Sequence, residues 1–264
     1  MFPRKLQLIL FAALLCAVGC QKDNELIQDI EATEEKAILE KMNSEEVTEE
    51  SVLVFYKTAS FKHTSIAKGI ETLEALALAN SFLLESTDDS ALFTTENLQN
   101  YDLVIFLNTT GDILNDTQQE VFENYIQSGG NFMGVHSACD TEYDWPWYGE
   151  LVGAYFLSHP EIQEATIDVV NNTHEATNHL SDSWELTDEW YDFKEISPNV
   201  SVLLNLDEAT YVGGANGENH PIAWYQEYDG GRSFYTGIGH NEEVYDLSDF
   251  KEHLLGGIAY CLER

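Results

Sequence analysis

Basic residues are scarce in this chain. Its 264 residues include 12 Lys and Arg against 47 Asp and Glu, a formal charge of −35 at pH 7. Such a surface repels phosphate backbones, and nucleic-acid binding rests largely on Lys and Arg neutralising them. Nucleic acid is therefore excluded as an expected partner, and so is direct electrostatic attachment to anionic lipid. What the charge does provide is solubility for an exported protein. Cysteine is also scarce. Of the four cysteines, Cys16 and Cys20 lie in or beside the apolar N-terminus, which leaves Cys139 and Cys261 and no disulfide framework. Both are expected to be unpaired, as buried thiols commonly are. No apolar run approaches the ~20 residues that a membrane-spanning helix needs.

What the N-terminus does hold is a short export signal. Arg4 and Lys5 precede an apolar stretch from Leu6 to Leu15, and Ala17-Val18-Gly19 then places small residues before Cys20. This is the layout of a secretory signal, and the cysteine after the small pair gives it the form of a bacterial lipobox, with Ala17 where Leu is commoner. The expectation is cleavage after residue 19 and acylation of Cys20. The following Gln21-Lys22-Asp23-Asn24-Glu25 resembles a Gln-Lys-acidic signal for export to the outer-membrane surface. Residues 20–50 are Glu-rich and lack aromatics, and they read as an acidic tether. Contact with the membrane is thus expected through the lipid alone.

From residue 51 onward the pattern is that of a folded domain. Ser51–Lys57 is a β-branched, apolar strand, followed by a polar loop containing His63 and a helical pattern over Ser65–Asn80. Strands follow at Phe82–Glu85 and Tyr101–Leu107, the second hydrophobic throughout, as a strand covered on both faces should be. Asp116 is placed as the cap of a helix that stops at Gly129-Gly130, before a strand at Phe132–Val135. This alternation predicts an α/β fold with a parallel sheet. Strand-like runs at Ile162–Val170, Trp184–Thr187, Val200–Leu206, Ile222–Tyr228 and Arg232–Ile238 predict mainly antiparallel additions, and a helix over Leu247–Leu262 closes the chain.

Chemistry-bearing residues concentrate between Gly129 and Pro160. His136 directly follows a short buried strand, where open α/β sheets bind ligands. Asp140, Asp144, Trp145, Trp147, Tyr148 and His159 follow within one aromatic-rich loop. Together with Phe61-Lys62-His63, Gly134-Val135-His136-Ser137-Ala138, Trp145-Pro146-Trp147-Tyr148, Val152-Gly153-Ala154, His159-Pro160, Asp188-Glu189-Trp190-Tyr191, Pro221-Ile222-Ala223-Trp224, Gly231-Arg232 and Gly237-Ile238-Gly239-His240, the chain resembles the ThuA-like (trehalose-utilisation) family over residues 51–264. The resemblance implies a class I glutamine amidotransferase-like fold, which is a flavodoxin-like three-layer αβα sandwich. It also implies a link to disaccharide or oxidised-glycoside metabolism. The amidotransferase reaction is not expected, because His136 stands at the strand-to-helix elbow where those enzymes place a cysteine, and Cys139 lies three residues beyond it.

His63, His136, His159 and His240 each follow a strand-like run or sit in the aromatic loop, so the fold should bring them to one sheet edge with Glu189 and Asp140. Three readings stay open: metal binding, metal-free acid/base chemistry, and histidines that are purely structural. Imidazole and carboxylate groups suit Zn²⁺ and similar divalent metals, with His63, His136, His159 and His240 as ligands. Without metal, His136, His63, Glu189 and Asp140 would serve as general acid and base. Trp145, Trp147, Tyr148, Tyr191 and His240 are candidates for sugar contacts, although the Trp-Pro-Trp-Tyr loop would equally well simply pack. His174, His179, His220 and His253 are read as turn, cap or surface residues, and Arg232 as a partner in an ion pair. The expected activity is that of a hydrolase, lyase or isomerase acting on a sugar. The competing reading is a glycan-binding lipoprotein without catalysis.

Overall fold

The structure is a computed structural model, and it describes residues 49–263. The signal peptide at 1–19, the acylation site Cys20 and nearly all of the tether at 20–50 lie outside the described residues. The strands among the described residues are β1 (Ser51–Phe55), β2 (Leu83–Thr87), β3 (Leu103–Leu107), β4 (Asn131–Val135), β5 (Tyr155–Ser158), β6 (Gln163–Val169), β7 (Ser183–Asp188), β8 (Asp192–Lys194), β9 (Ser201–Leu206), β10 (Pro221–Tyr228) and β11 (Gly231–Thr236). The α-helices among the described residues are α1 (Ile66–Asn80), α2 (Thr95–Leu98), α3 (Asp116–Gln127), α4 (Pro146–Val152) and α5 (Ser248–Leu262). Nine strands form one sheet in the order β2-β1-β3-β4-β11-β10-β9-β6-β7, and β5 pairs with β8 separately.

The first four strands and β11 are parallel, and β10, β9, β6 and β7 continue the sheet antiparallel. β3 shows why the parallel half needs helices on both faces. All five of its residues are buried, and its side chains alternate between the faces. Phe106 packs among Phe93, Phe122, Phe132 and Tyr148 beneath α3 and α4, whereas Leu107 meets α1 at Gly69. The fold is therefore a mixed α/β sandwich with a largely parallel sheet and antiparallel additions, as the pattern predicts.

The boundaries differ in detail. Asn115, not Asp116, caps α3, in a capping box with Gln118, and Asp116 instead puts its charge at the positive end of the helix. The helix ends where expected, with Gly129 at φ +97°. Part of the aromatic loop is helical, because Pro146 occupies the first turn of α4 and needs no amide partner there.

Strand direction decides where the chemistry gathers. Counting reversals from β11 to β7, the strands β4, β11, β9 and β7 all run the same way, so their carboxyl ends share one edge with that of β1. β7 is nonetheless four places from β11, or roughly 19 Å in a flat sheet at the usual strand spacing. The Asp188 carboxylate at the end of β7 still accepts hydrogen bonds from the amides of Gly239 and Asn241 beyond β11, at 2.7 and 2.9 Å. The antiparallel half must therefore curl back over the carboxyl edge of the parallel half.

Candidate functional site

At that edge four side chains converge. His63 comes from the loop after β1, His136 from the end of β4, Glu189 from the end of β7 and His240 from the loop after β11. One ligand-capable atom of each lies within 4.8 Å of the others. His63, His136 and Glu189 are buried and His240 is half-buried.

His136 occupies the sharp turn from strand to 3₁₀ helix at φ +50°. Left-handed backbone is disfavoured for a residue with a Cβ, so the site holds local strain of the kind that clusters where geometry serves function. Its Nδ1 lies 2.8 Å from the Gly237 carbonyl oxygen. A carbonyl only accepts, so Nδ1 carries the proton and Nε2 is directed into the cluster. There Nε2 is 3.5 Å from Glu189 Oε2 and 3.3 Å from His240 Nδ1, and Glu189 Oε2 is 2.9 Å from His240 Nδ1. A lone pair facing a carboxylate in a buried site is repulsive, so the arrangement calls for a positive species between these atoms. That species is either a second proton on an imidazole or a metal ion.

The local electrostatics agree. Burial, reinforced by neighbouring His136 and His240, lowers the His63 pKa to about 2, so this imidazole is neutral and able to donate a lone pair. Burial alone would raise the Glu189 pKa, but the His136 and His240 imidazoles beside its carboxylate outweigh it and hold the carboxyl well below its ordinary range. For His240 burial acts downward, and the hydrogen bond to Glu189 with its charge turns the net shift upward.

The cluster's support extends outward. Ser137 Oγ is 3.3 Å from His63 Nδ1, and the Tyr191 ring packs on His136 at 4.4 Å between centroids. Phe61 is 60% exposed and lies parallel to the His240 ring at 6.5 Å, so it stands at the mouth of the site. His159 is on the outer side of Glu189, its Nδ1 3.1 Å from Oε1 and its side chain 43% exposed. It is thus adjacent to the four-group cluster and not a member of it, contrary to its expected place as a ligand. Asp140 is bound to the Tyr143 hydroxyl at 2.5 Å and is likewise outside the four groups.

The aromatic loop departs furthest from expectation. Tyr148 is fully buried and donates to the Ala138 carbonyl, Trp145 is buried and donates to Glu123, and Trp147 stacks on Trp145 while donating to Asp229. Asp229 lies in the β10–β11 turn, at the opposite edge of the sheet from His136. These three rings are core and support, removed from the histidines, because α4 turns its apolar positions onto α3 and β4. Tyr191 is at the cluster, but 3% exposed it backs His136 more than it offers a face to ligand. Cys139 is a free buried thiol, as is Cys261, and burial pushes both pKa values above the ordinary thiol range. A cleft lined by Thr95, Tyr101, Tyr125 and Asn131 lies at the amino edge of the sheet and contains no histidine.

The other histidines are more buried than expected. His253 is fully buried in α5, and its Nδ1 donates to the Ala176 carbonyl. His174 is 7% exposed, while His179 is half-buried and bonded to the Asp249 carbonyl. His220 is fully buried between the Tyr191 carbonyl and Glu208, each 2.8 Å away. With Asp192 it forms a second group close enough to suggest a metal. Here the acceptors are already satisfied: Glu208 Oε1 takes the amides of Asn216 and Gly217, and Asp192 takes the amide of Ala215 and the hydroxyl of Ser158. This group is a hydrogen-bonded brace for the loop before β10. Arg232 pairs with Glu263 at 2.8 Å, as expected of it.

A family profile described as trehalose utilisation, ThuA, matches residues 51–261. The chain belongs to the ThuA family. Among solved structures, a ThuA-like protein from Bacteroides uniformis ATCC 8492 superposes with a TM-score of 0.70 at 23% identity, covering 80% of this chain and 91% of that one. A ThuA-like protein from Parabacteroides merdae ATCC 43184 gives 0.68 at 18% identity, covering 81% and 90%. A β-galactosidase from Bacillus circulans sp. alkalophilus gives 0.54 at 13% identity over 80% of this chain and 31% of its own. At these identities the likeness is one of fold. No curated protein matches the chain. The family places the chain in trehalose utilisation at the level of the family as a whole.

Asp188 escaped the sequence reading as a functional residue, although its motif was noted. The signal for it was the alternation of β7, exposed at Ser183, Glu185 and Thr187 and buried at Trp184, Leu186 and Asp188. A carboxylate on the buried side of an alternating strand needs partners.

Proposed function

We propose that this ThuA-family chain is a sugar-processing enzyme of the cell envelope, acting on a disaccharide or oxidised glycoside with a divalent metal ion held by His63, His136, Glu189 and His240. The observation that carries this reading is the spacing of the inner atoms. Ligand atoms 2.0–2.2 Å from a tetrahedral Zn²⁺ lie about 3.4 Å apart, and the three separations among His136 Nε2, Glu189 Oε2 and His240 Nδ1 are 3.3, 2.9 and 3.5 Å. The donor set also fits, since imidazoles with a carboxylate suit Zn²⁺ and its neighbours. The Gly237 carbonyl on His136 Nδ1 is the kind of outer contact that fixes a ligand's tautomer. When bound, such an ion polarises a carbonyl or hydroxyl oxygen.

The chain's own residues supply the rest. Glu189 shares its two oxygens between the inner imidazoles and His159, whose exposed ring stands at the mouth beside solvent. Phe61 offers an exposed ring to an apolar sugar face. The rival reading, a binding protein without catalysis, drew on Trp145, Trp147 and Tyr148 as stacking faces, and these rings are engaged in packing. The envelope location follows from the sequence: Cys20 acylated after removal of residues 1–19, an acidic tether at 20–50, and exposure at the outer-membrane surface. The partners are then a sugar ligand and, through the lipid alone, the membrane, with nucleic acid excluded by the charge of −35.

The test combines metal analysis of the purified protein with turnover of trehalose and of its oxidised derivative, before and after chelation. One bound metal per chain and chelator-sensitive turnover would support the reading. Turnover by metal-free protein would transfer the chemistry to the imidazoles and Glu189 alone.

A further inference from the structure

We infer that Asp188 is the positioning residue of this centre, fixing the main chain of the loop that carries His240 and through it the cation affinity of the site. The inference rests on the metal reading proposed above. Asp188 and Glu189 are consecutive, yet they grip different parts of one residue's surroundings. Asp188 Oδ2 accepts the amides of Gly239 at 2.7 Å and His240 at 3.3 Å, and Oδ1 accepts the amide of Asn241 at 2.9 Å. Glu189 Oε2 meets the imidazole of His240 itself at 2.9 Å. A single strand end therefore holds both the backbone and the ring of a ligand contributed from four strands away.

The opposite side of the loop is held as firmly. The Gly239 carbonyl accepts from Ser65 Oγ at 3.0 Å, Asn108 Nδ2 at 3.0 Å and Tyr245 Oη at 3.2 Å. Gly239 is at φ +132°, where residues with a Cβ rarely sit, and a Cβ there would come within 2.8 Å of the Tyr245 hydroxyl, so this position requires glycine. Asp188 is fully buried, and burial raises its pKa. Placing a carboxylate in such a position is costly unless its hydrogen bonds are complete. Its hydrogen bonds to these three amides offset that cost only while the loop keeps its present form. Outer contacts of this kind orient ligands, and their loss commonly costs 10–100-fold in metal affinity.

Asp188→Asn tests the assignment, since one oxygen becomes an NH₂ group that must face backbone N–H donors. Asn241→Pro makes the complementary change. It removes the backbone donor to Asp188, together with the side-chain bond of Asn241 to the Thr187 carbonyl, while leaving the carboxylate intact, at a residue whose φ of −83° suits proline. Zn²⁺ affinity of the purified full chain would be measured by competition with a chromophoric chelator, with Co²⁺ absorption reporting ligand geometry and circular dichroism reporting the fold. Both variants should bind about 10–100-fold more weakly than wild type and show an altered Co²⁺ spectrum. Trp145→Ala, destabilised far from the site, should keep wild-type affinity. A folded Asp188→Asn or Asn241→Pro protein with wild-type affinity and spectrum would overturn the inference while leaving the metal reading intact. If Asp188→Asn does not fold, Asn241→Pro decides alone. Wild-type protein that binds neither ion would instead remove the metal reading, and the inference with it.

Discussion

His136 Nε2 lies 3.5 Å from Glu189 Oε2, on a ring whose other nitrogen is already committed to the Gly237 carbonyl. The pair is held from two distant parts of the sheet and cannot relax apart without losing one of those ties. Replacing Glu189 by Gln removes the negative charge and keeps the shape. Zn²⁺ affinity should fall by more than about 100-fold, since even outer contacts are worth 10–100-fold. His136→Asn should do the same without unfolding the domain, because Asn tolerates the left-handed backbone that His136 adopts. Isothermal titration of both variants checks this. An affinity unchanged in Glu189→Gln would show that the carboxylate is not a ligand.

The aromatic loop should behave as core. Trp145→Ala or Tyr148→Ala is expected to lower the unfolding free energy by about 3–5 kcal/mol, the usual range for removing a large buried ring. Trehalose affinity of the folded Trp145→Ala fraction should not change, because that ring packs against α3 and Tyr148 and not at the histidines, whereas Tyr148 also braces the turn that carries His136. Denaturant melts paired with ligand titration separate the two outcomes. A variant of normal stability that has lost sugar binding would restore these rings to the ligand site.

The parallel half of the fold could be read because its signals are local. The buried run Leu103–Leu107 and the stop at Gly129 each follow from a few neighbouring residues. His63 and His136 were placed together for the same reason, since carboxyl ends of parallel strands share an edge. The helical nature of Pro146–Val152 was also available, with proline at the first position and Trp145, Tyr148 and Val152 spaced for one face. The aromatic composition left a ligand surface and packing equally open, and this spacing favours packing. Glu189 was also expected at the cluster, although nothing in its own strand's pattern placed it there. Its arrival depends on the curl that brings β7 back over β11, and alternation within a strand carries no information about curvature. The burial of His220 and His253 was hidden for a related cause: each is satisfied by a carbonyl distant in sequence, Tyr191 for one and Ala176 for the other.

Lipidation gives a prediction for the N-terminus. Ala17-Val18-Gly19 before Cys20 should direct acylation of that cysteine, so metabolic labelling with a radioactive fatty acid should mark wild type and not Cys20→Ala. The variant should also partition into the aqueous phase of a detergent extraction. Labelling that survives the substitution would exclude the assignment. Separately, digestion of the protein by protease added to intact cells would support surface exposure.

His253 should make the fold sensitive to mild acid. Its ring is fully buried among Phe234, Phe250 and Trp184, and its Nδ1 donates to the Ala176 carbonyl. Nε2 has no protein partner. Burial lowers its pKa to about 4, with His179 and His174 as further unfavourable neighbours for a charge. In the unfolded chain the ordinary value is 6.5. A group with a lowered pKa in the folded state binds fewer protons there than in the unfolded state between those two values. The stability associated with its neutral form is thus complete above pH 6.5 and is lost as the pH falls towards 4. The loss approaches about 1.4 kcal/mol per pH unit for one proton below the unfolded value, so moving from pH 6.5, where the unfolded imidazole is half protonated, to pH 5 should cost about 1.5 kcal/mol from this residue. His253→Phe removes the titrating group and keeps a ring between the same neighbours. Urea unfolding at several pH values should then show a slope smaller by about one proton in the variant than in wild type. Equal slopes for the two proteins between pH 5 and 6.5 would mean that the buried imidazole takes up its proton in the folded state after all.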